Sequence, residues 1–358
     1  MCGLLFLCWG GSAVAGADSD GDGIPDARDL EPSTSSPVCG TSHSMLYGIT
    51  VDDSAILQCG ASQSIQVTPS AEVDPSGSLE LFAPVVTFDP GFILPGGALL
   101  SVVTDPNLPT VELPPFPASW QWQLLVDGSH PLNTIYNVDI YDVDMEDTSV
   151  SQITALKAAG RYVVCYYSAG SYEPWRSDEA KFQESELGNP LDPPFGQERW
   201  LDVRSVNVRQ IMRARMKQAK AKGCQAVEPD NVDGYTNNPG FPLTGDDQLL
   251  YNRHLATQAH ALGLAIALKN DLDQVESLVA SFDFAINEQC HQYNECETLQ
   301  PFLDAEKPVL NAEYDLSDDN CYAGNTAARN AICTGNPAGM SVLILPQLLD
   351  DSCRYSCD

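Results

Sequence analysis

The chain sets 49 Asp+Glu against 18 Lys+Arg over 358 residues, a formal net charge of −31. Repulsion at that level excludes nucleic acid and anionic membrane surfaces as natural partners and favours cationic ones, unless the acidity serves only solubility or salt tolerance. A hydrophobic content of 43% excludes a disordered chain, and the length suits one α/β barrel of about 250 residues with a smaller region ahead of it.

Residues 1–17 are short and apolar, and Ala13-Val14-Ala15 has the small-x-small form of a signal-peptidase site. The expectation is export, with a mature chain starting near Gly16 and a secreted or cell-surface location. Leu5-Phe6-Leu7 ahead of Cys8 makes a poor lipoprotein box. No later run reaches the about 18 apolar residues of a membrane span. Without Cys2 and Cys8, 10 of the 12 cysteines remain, an even number that suits an oxidising compartment. Their pairing cannot be read from sequence; Cys290 with Cys296, Cys321 with Cys333 and Cys353 with Cys357 are the near neighbours. No Cys-x-x-Cys occurs and the 5 His are scattered, which argues against zinc.

Asp18, Asp20, Asp22, Asp26 and Asp29 take positions 1, 3, 5, 9 and 12 of a loop with Gly23 at position 6. Hard Ca²⁺ needs six to eight oxygens, and this spacing supplies them around a tight glycine turn. Residues 18–38 are therefore expected to be a calcium-binding repeat and linker. The segment resembles the aspartate-rich repeats of the thrombospondin type 3 kind, with Asp in place of an EF-hand's final Glu and no helical pattern on either side.

Residues 39–117 read as a small β-rich module. Segments 64–68, 79–82, 85–88 and 98–103 are short apolar runs between turn residues, and PSGSLEL and PGFILPGGALLSVV resemble β-solenoid turns. Prolines from Pro109 onward make a stiff linker.

From residue 118 to the end, strands and helices alternate. Eight strands are expected, at 120–125, 138–141, 162–166, 226–228, 264–268, 282–286, 308–311 and 341–345. Between the early ones lie amphipathic stretches carrying Ile153, Leu156 and Ala159; Val208, Ile211, Met212 and Ala219; and Leu250, Leu255, Ala259 and Leu262. Gly160, Gly223 and Gly263 stop these helices just before the next strand. With no glycine-rich dinucleotide loop after the first strand, the fold class is α/β, a TIM (β/α)8 barrel preceded by a small all-β module.

Active sites in such barrels collect where strands end. Two strand ends stand out, VEPDNVDGY from Val227 and FDFAINEQC from Phe282, and they offer Asp230 and Glu288 as a carboxylate pair. Paired carboxylates perform acid/base and nucleophilic work on a glycosidic bond when a few ångströms apart; the same pattern also suits helix caps and solvated loops. Asp142, Asp144, Tyr166, Ser168, Asp233, Lys269, Asn270 and Glu313 close the other strands and are expected to bind substrate. Glu228, two residues before Asp230, is expected to brace the site. The long loop at 168–202 carries Tyr172, Trp175, Arg176 and Trp200, suited either to a sugar-stacking lid or to covering the barrel edge.

WQWQLL, CYYSAGSYEPWRSD, ERWLDVR, KGCQAVEPDNVDGY, AHALGLAIALKND, FDFAINEQCHQYNEC and KPVLNAEY follow one another in the order and spacing of glycoside hydrolase family 114, which residues 120–314 resemble closely. The resemblance implies a TIM-barrel endo-α-1,4-polygalactosaminidase with Asp230 similar to the nucleophile and Glu288 similar to the acid/base, working by retention and without a catalytic cofactor. It also implies a galactosamine polysaccharide as partner, whose ammonium groups would give the acidity a use. A protein of the same fold that binds or anchors a carbohydrate matrix without turnover is the alternative.

Overall fold

The computed structural model describes residues 110–315 and 320–357, together with short strands between 43 and 103. The apolar leader, the aspartate loop at 18–29 and the segment 30–38 lie outside the described residues. Between 43 and 103 the strands pair in parallel: His43–Leu46, Ser64–Val67 and Val85–Phe88 form one ladder, and Ile56–Gly60, Ser78–Phe82 and Leu99–Val103 another. The register offset is nearly constant, with His43 opposite Ser64, Ser64 opposite Val85, Ile56 opposite Ser78 and Ser78 opposite Leu99. Such repeated parallel pairing is that of solenoid turns.

Eight parallel strands follow, labelled here β1 (Trp120–Gln123), β2 (Ile140–Asp144), β3 (Tyr162–Ser168), β4 (Ala226–Asp230), β5 (Ala265–Lys269), β6 (Phe284–Glu288), β7 (Val309–Tyr314) and β8 (Met340–Leu345). They hydrogen-bond in sequence order and curl into a barrel. At the seam the backbone N–H groups of Leu124 and Leu125 both donate to Leu349 O, and Tyr355–Ser356 pairs antiparallel with β8. Arg354 ties this edge to β1 through Trp120 O at 2.8 Å. Alternation along each strand builds two cores. Trp120, Trp122, Ile140, Val164, Ala226, Ala267, Phe284 and Leu343 fill the barrel interior, while Tyr141, Val163, Ile266, Leu268 and Val309 pack outward beneath the helices.

The helices are less regular than their expected pattern. α1 (Val150–Ala158) starts at a Ser149 capping box with Gln152, α2 (Val206–Lys222) at Ser205, and α3 (Gly245–Ala261) at a Thr244–Asp247 box. Gly223 ends α2 at φ 99°, a left-handed cap that only glycine adopts freely. No helix joins β1 to β2, and after β5 the connections shorten to pieces such as Val275–Leu278 and Gln300–Asp304. Leu250 faces solvent rather than the core, because Tyr251 occupies the buried side of α3.

Four disulfides occur among the described residues. Cys290–Cys296 matches the expectation; Cys321 pairs with Cys353 and Cys333 with Cys357, in place of the near-neighbour pairing, since both bridges tie the β7–β8 region to the C-terminal strand. Cys165–Cys224 joins β3 to the end of α2 across 59 residues. Replacing both of its cysteines with Ala is expected to lower stability by about 2–4 kcal/mol, read as a lower urea midpoint; an unchanged midpoint contradicts it. Among the described residues no helix is long and apolar enough to cross a membrane.

Candidate active site

The strands run further than their apolar runs predict, so that Asp230, Lys269 and Glu288 are the last residues of β4, β5 and β6, not loop residues after them. A polar side chain can end a buried strand when a partner neutralises it. Immediately afterwards the backbone enters the left-handed region, at Asn231 (φ 60°), Asn270 (φ 50°) and Gln289 (φ 60°). Such unusual conformations concentrate where a site over-determines its geometry. Asp230 is pinned further: Ala169 N and Gly170 N donate to its carbonyl at 2.9 and 3.0 Å, and Asn231 N donates to its Oδ1 at 2.8 Å. Any side chain at Gly170 would sit 1.6 Å from Asn231 O, so glycine is required for this approach.

Lys269 is the hub. Its Nζ lies 3.0 Å from Asp230 Oδ1, 3.1 Å from Glu288 Oε2 and 3.2 Å from Glu228 Oε1, and 4.9 Å above the Trp122 ring. Because one ammonium touches both, Asp230 Oδ1 and Glu288 Oε2 can stand no farther apart than those first two contacts laid end to end. Burial alone would lower the lysine pKa, but Asp230, Glu288 and Glu228 outweigh it and hold the ammonium charged. Burial likewise pushes Glu288 up, yet the Lys269 charge, the Tyr314 hydroxyl and Asn270 Nδ2 together leave its carboxyl below the usual glutamate range.

Beneath this level Asp142 and Glu228 face each other, both fully buried. Burial raises Glu228 to about 7 against the pull of Lys269. Burial and the Glu228 charge raise Asp142 well above the carboxylate range. Near neutrality the pair therefore shares a proton, and Glu228 holds Lys269 from below.

The expected binding residues divide accordingly. Tyr166, Asp233, Lys269 and Asn270 line the cleft around the Asp230–Glu288 pair. Asp142 lies one layer too deep, under Glu228. Asp144 is drawn away by Arg176, whose Nη2 lies 2.7 Å from both Asp144 Oδ2 and Glu173 Oε1, and it also accepts from the backbone of Glu146 and Asp147. Ser168 is spent on Ser171 and Asn231. Glu313 points outward and accepts from His291 N and Asn311 Nδ2; alternation in β7 turns Tyr314 inward instead, and its hydroxyl bonds Glu288. One step of strand parity would have found Tyr314.

The loop at 168–202 folds into a three-stranded antiparallel sheet, Ser171–Tyr172, Arg199–Leu201 and Leu187–Pro190. Of its expected contacts only Trp200 lines the cleft. Tyr172 packs edge-on against Phe182, Arg176 is bound to acids, and Trp175 is exposed. Phe195, at the hairpin tip, and Gln347, after β8, line both lobes of the cleft, which hold about 480 and 460 Å³ and meet at Glu288. Neither residue carried a sequence signal, since each sits in an irregular loop. Cys290, His291 and Cys296 come together closely enough for a metal, but the two sulfurs are bonded to each other.

Comparison with known proteins adds three findings. The profile of glycoside-hydrolase family GH114 matches residues 103–358. The crystal structure of Aspergillus fumigatus Ega3 in complex with galactosamine is 39% identical, covers 70% of this chain and 100% of its own, and superposes with a TM-score of 0.63. The glycoside hydrolase domain of PelA from Pseudomonas aeruginosa, 14% identical over 66% of this chain and 98% of its own, has a TM-score of 0.52 and shares the fold. No curated protein sequence matches.

Proposed function

The chain belongs to glycoside hydrolase family GH114, and from that premise we propose that this glycoside hydrolase cleaves α-1,4-linked galactosamine polysaccharide with retention of configuration. The observation that carries the proposal is the single ammonium of Lys269, which touches both Asp230 and Glu288 where the two cleft lobes meet. Retaining pairs stand about 5–5.5 Å apart, and inverting pairs need about 6.5–9.5 Å to admit a water. Two oxygens bridged by one ammonium fall short of the inverting range. Asp230 Oδ1, fixed by Asn231 N, attacks C1. Glu288 gives its proton to the leaving oxygen, then takes one from the water that releases the sugar. Lys269 offsets charge on both acids throughout. Ega3, solved with galactosamine bound, supports the sugar class.

Digestion of a partly deacetylated α-1,4-galactosaminan tests this. Oligosaccharides sized by mass spectrometry are expected with the native chain and not with Asp230→Asn, whereas binding without turnover would leave a carbohydrate-binding protein.

The lowered pKa of Glu288 favours one other assignment, in which Glu288 attacks and Asp230 is the acid. The pH dependence of kcat/KM, which reports the free enzyme, separates the two. With Glu288 as acid, kcat/KM falls as the pH rises through a limb below the usual glutamate range; with Glu288 as nucleophile, kcat/KM falls as the pH drops through that same limb.

Export completes the proposal. The apolar leader with its cleavage-type triplet and four disulfides support an oxidising location. Calcium bound at residues 18–29 is proposed to stabilise that loop alone, so a chelator should leave hydrolysis unchanged.

A further inference from the structure

Glu198 is a buried acid of the cleft wall that the hydrolytic step does not use. It directly precedes the hairpin strand Arg199–Leu201, is 7% exposed, and lines the same lobe as Asp230, Asn231 and Lys269. Its Oε2 accepts from Ser171 Oγ at 2.5 Å. Ser171 Oγ stands 2.6 Å from Ser168 Oγ, which accepts from Asn231 Nδ2 at 3.0 Å and from Ser171 N at 3.1 Å. Asn231 in turn gives its backbone N–H to Asp230 Oδ1 at 2.8 Å. A chain of side chains therefore runs from the hairpin to the carboxylate proposed to attack C1.

Donors and acceptors allow this chain one direction only. A hydroxyl has one proton and two lone pairs. Both lone pairs of Ser168 are taken by N–H donors, so its proton goes to Ser171, and the proton of Ser171 goes to Glu198. Ser168 and Ser171 are fully buried, so solvent supplies no substitute acceptor. Without the acceptor at 198, Ser171 could turn its proton only toward Ser168, whose own proton would then face the Asn231 amide, donor against donor. A buried group left unpaired in this way costs about 1–3 kcal/mol, and displacement of Asn231 relieves it. Burial raises the Glu198 carboxyl to about 7 in spite of the Ser171 hydrogen bond. Acids kept in so unfavourable a place concentrate at functional sites.

We infer that Glu198 is a positioning residue for the nucleophile: as the terminal acceptor of the Asn231–Ser168–Ser171 chain it holds Asn231, and through Asn231 the Asp230 carboxylate, in the orientation for attack. The catalytic consequence rests on the proposed function; the hold on Asn231 does not. The hairpin that walls the cleft thereby also sets the group that reacts in it.

Hydrogen exchange of the full chain, read by mass spectrometry on the segment around Asn231, tests the hold without turnover, and steady-state kinetics on the galactosamine polymer tests its consequence. In Glu198→Leu the Asn231 amide is expected to exchange faster while the amides of α1 and α3 exchange as in the native chain. kcat should fall by up to about 10²-fold, the cost of misplacing a reacting group by about 1 Å, with KM little changed. Glu198→Gln keeps a carbonyl acceptor for Ser171 and should keep both the protection and most of kcat. Ser171→Ala should behave as Glu198→Leu does, and the double variant should lose no more than the larger single loss, since both cut one chain. Should Glu198→Leu not fold, Ser171→Ala decides by the same criteria. Unchanged Asn231 exchange overturns the inference, as does a Glu198→Gln loss equal to that of Glu198→Leu, or a rise in KM with kcat preserved, which would make Glu198 a substrate contact. A native chain that hydrolyses no polymer, with Asn231 still released in Glu198→Leu, refutes the proposed function and leaves the hold on Asn231 standing. Hydrolysis by the native chain with kcat unaffected in folded Glu198→Leu refutes the positioning role and leaves the proposed function standing.

Discussion

Glu288→Gln is expected to lower kcat on the galactosamine polymer by about 10²–10⁴-fold, the contribution of one positioned acid or base, while the melting temperature stays level or rises. The two halves of that result have one cause. Asp230, Glu288 and the proton-sharing Glu228–Asp142 pair surround a single buried ammonium, so negative charge exceeds positive at this level of the barrel. An amide at 288 removes part of that excess and keeps the contact from Asn270 on its one acceptor oxygen, its N–H turning to the Tyr314 hydroxyl oxygen, but it has no proton to give to the leaving oxygen. Steady-state kinetics with a thermal melt reads both quantities. A fall in kcat together with a large fall in melting temperature would make Glu288 a structural residue.

Lys269→Met should be the most destructive single change to the fold. Methionine matches the length of the lysine stem but leaves Glu228, Asp230 and Glu288 facing one another in a space where Lys269 is 2% exposed. Removing one partner from a buried ionic cluster costs about 3–5 kcal/mol, on the order of 10 °C in melting temperature for a domain of this size. The pH dependence identifies the origin of the loss. Without the ammonium, burial and mutual repulsion act on the cluster unopposed, so the folded state binds more protons than the unfolded one and stability falls as the pH rises through the carboxyl range. The variant should therefore regain more stability from neutral pH toward about pH 5 than the native protein, in which only Glu228 and Asp142 are raised. A deficit that does not vary with pH would point to lost packing against Trp122 instead of unbalanced charge.

Much of the barrel was legible because alternation and glycine stops leave their period in the sequence: Trp120 and Trp122, Ala265 and Ala267, and Gly223 all behave as their pattern says. The strand ends were misjudged for a single reason. The apolar runs stop before the strands do, because Lys269 at the end of β5 lets β4 and β6 carry charge on their last residues, and a lysine shared by two neighbouring strand ends is visible only in three dimensions. The same blindness affected Asp142, Asp144 and Glu313. Each is an acid near a strand end, but depth, an Arg176 partner and strand parity remove them from the cleft. Phe195 and Gln347 carry no signal for the opposite reason, since nothing local distinguishes a cleft aromatic or amide in a loop from a surface one, whereas Tyr314 stands one step of strand parity from Glu313. Cys165 and Cys224 are likewise joined by the barrel and not by nearness in the chain.

The stereochemistry of the first-formed product tests the central claim most directly. If Asp230 and Glu288, held together on one ammonium, act by double displacement, proton NMR of a fresh digest will show the α-anomer of the new reducing end appearing first and the β-anomer growing in only by mutarotation. A β-anomer at the earliest time points would mean inversion through a water and would remove Asp230 from the nucleophile role.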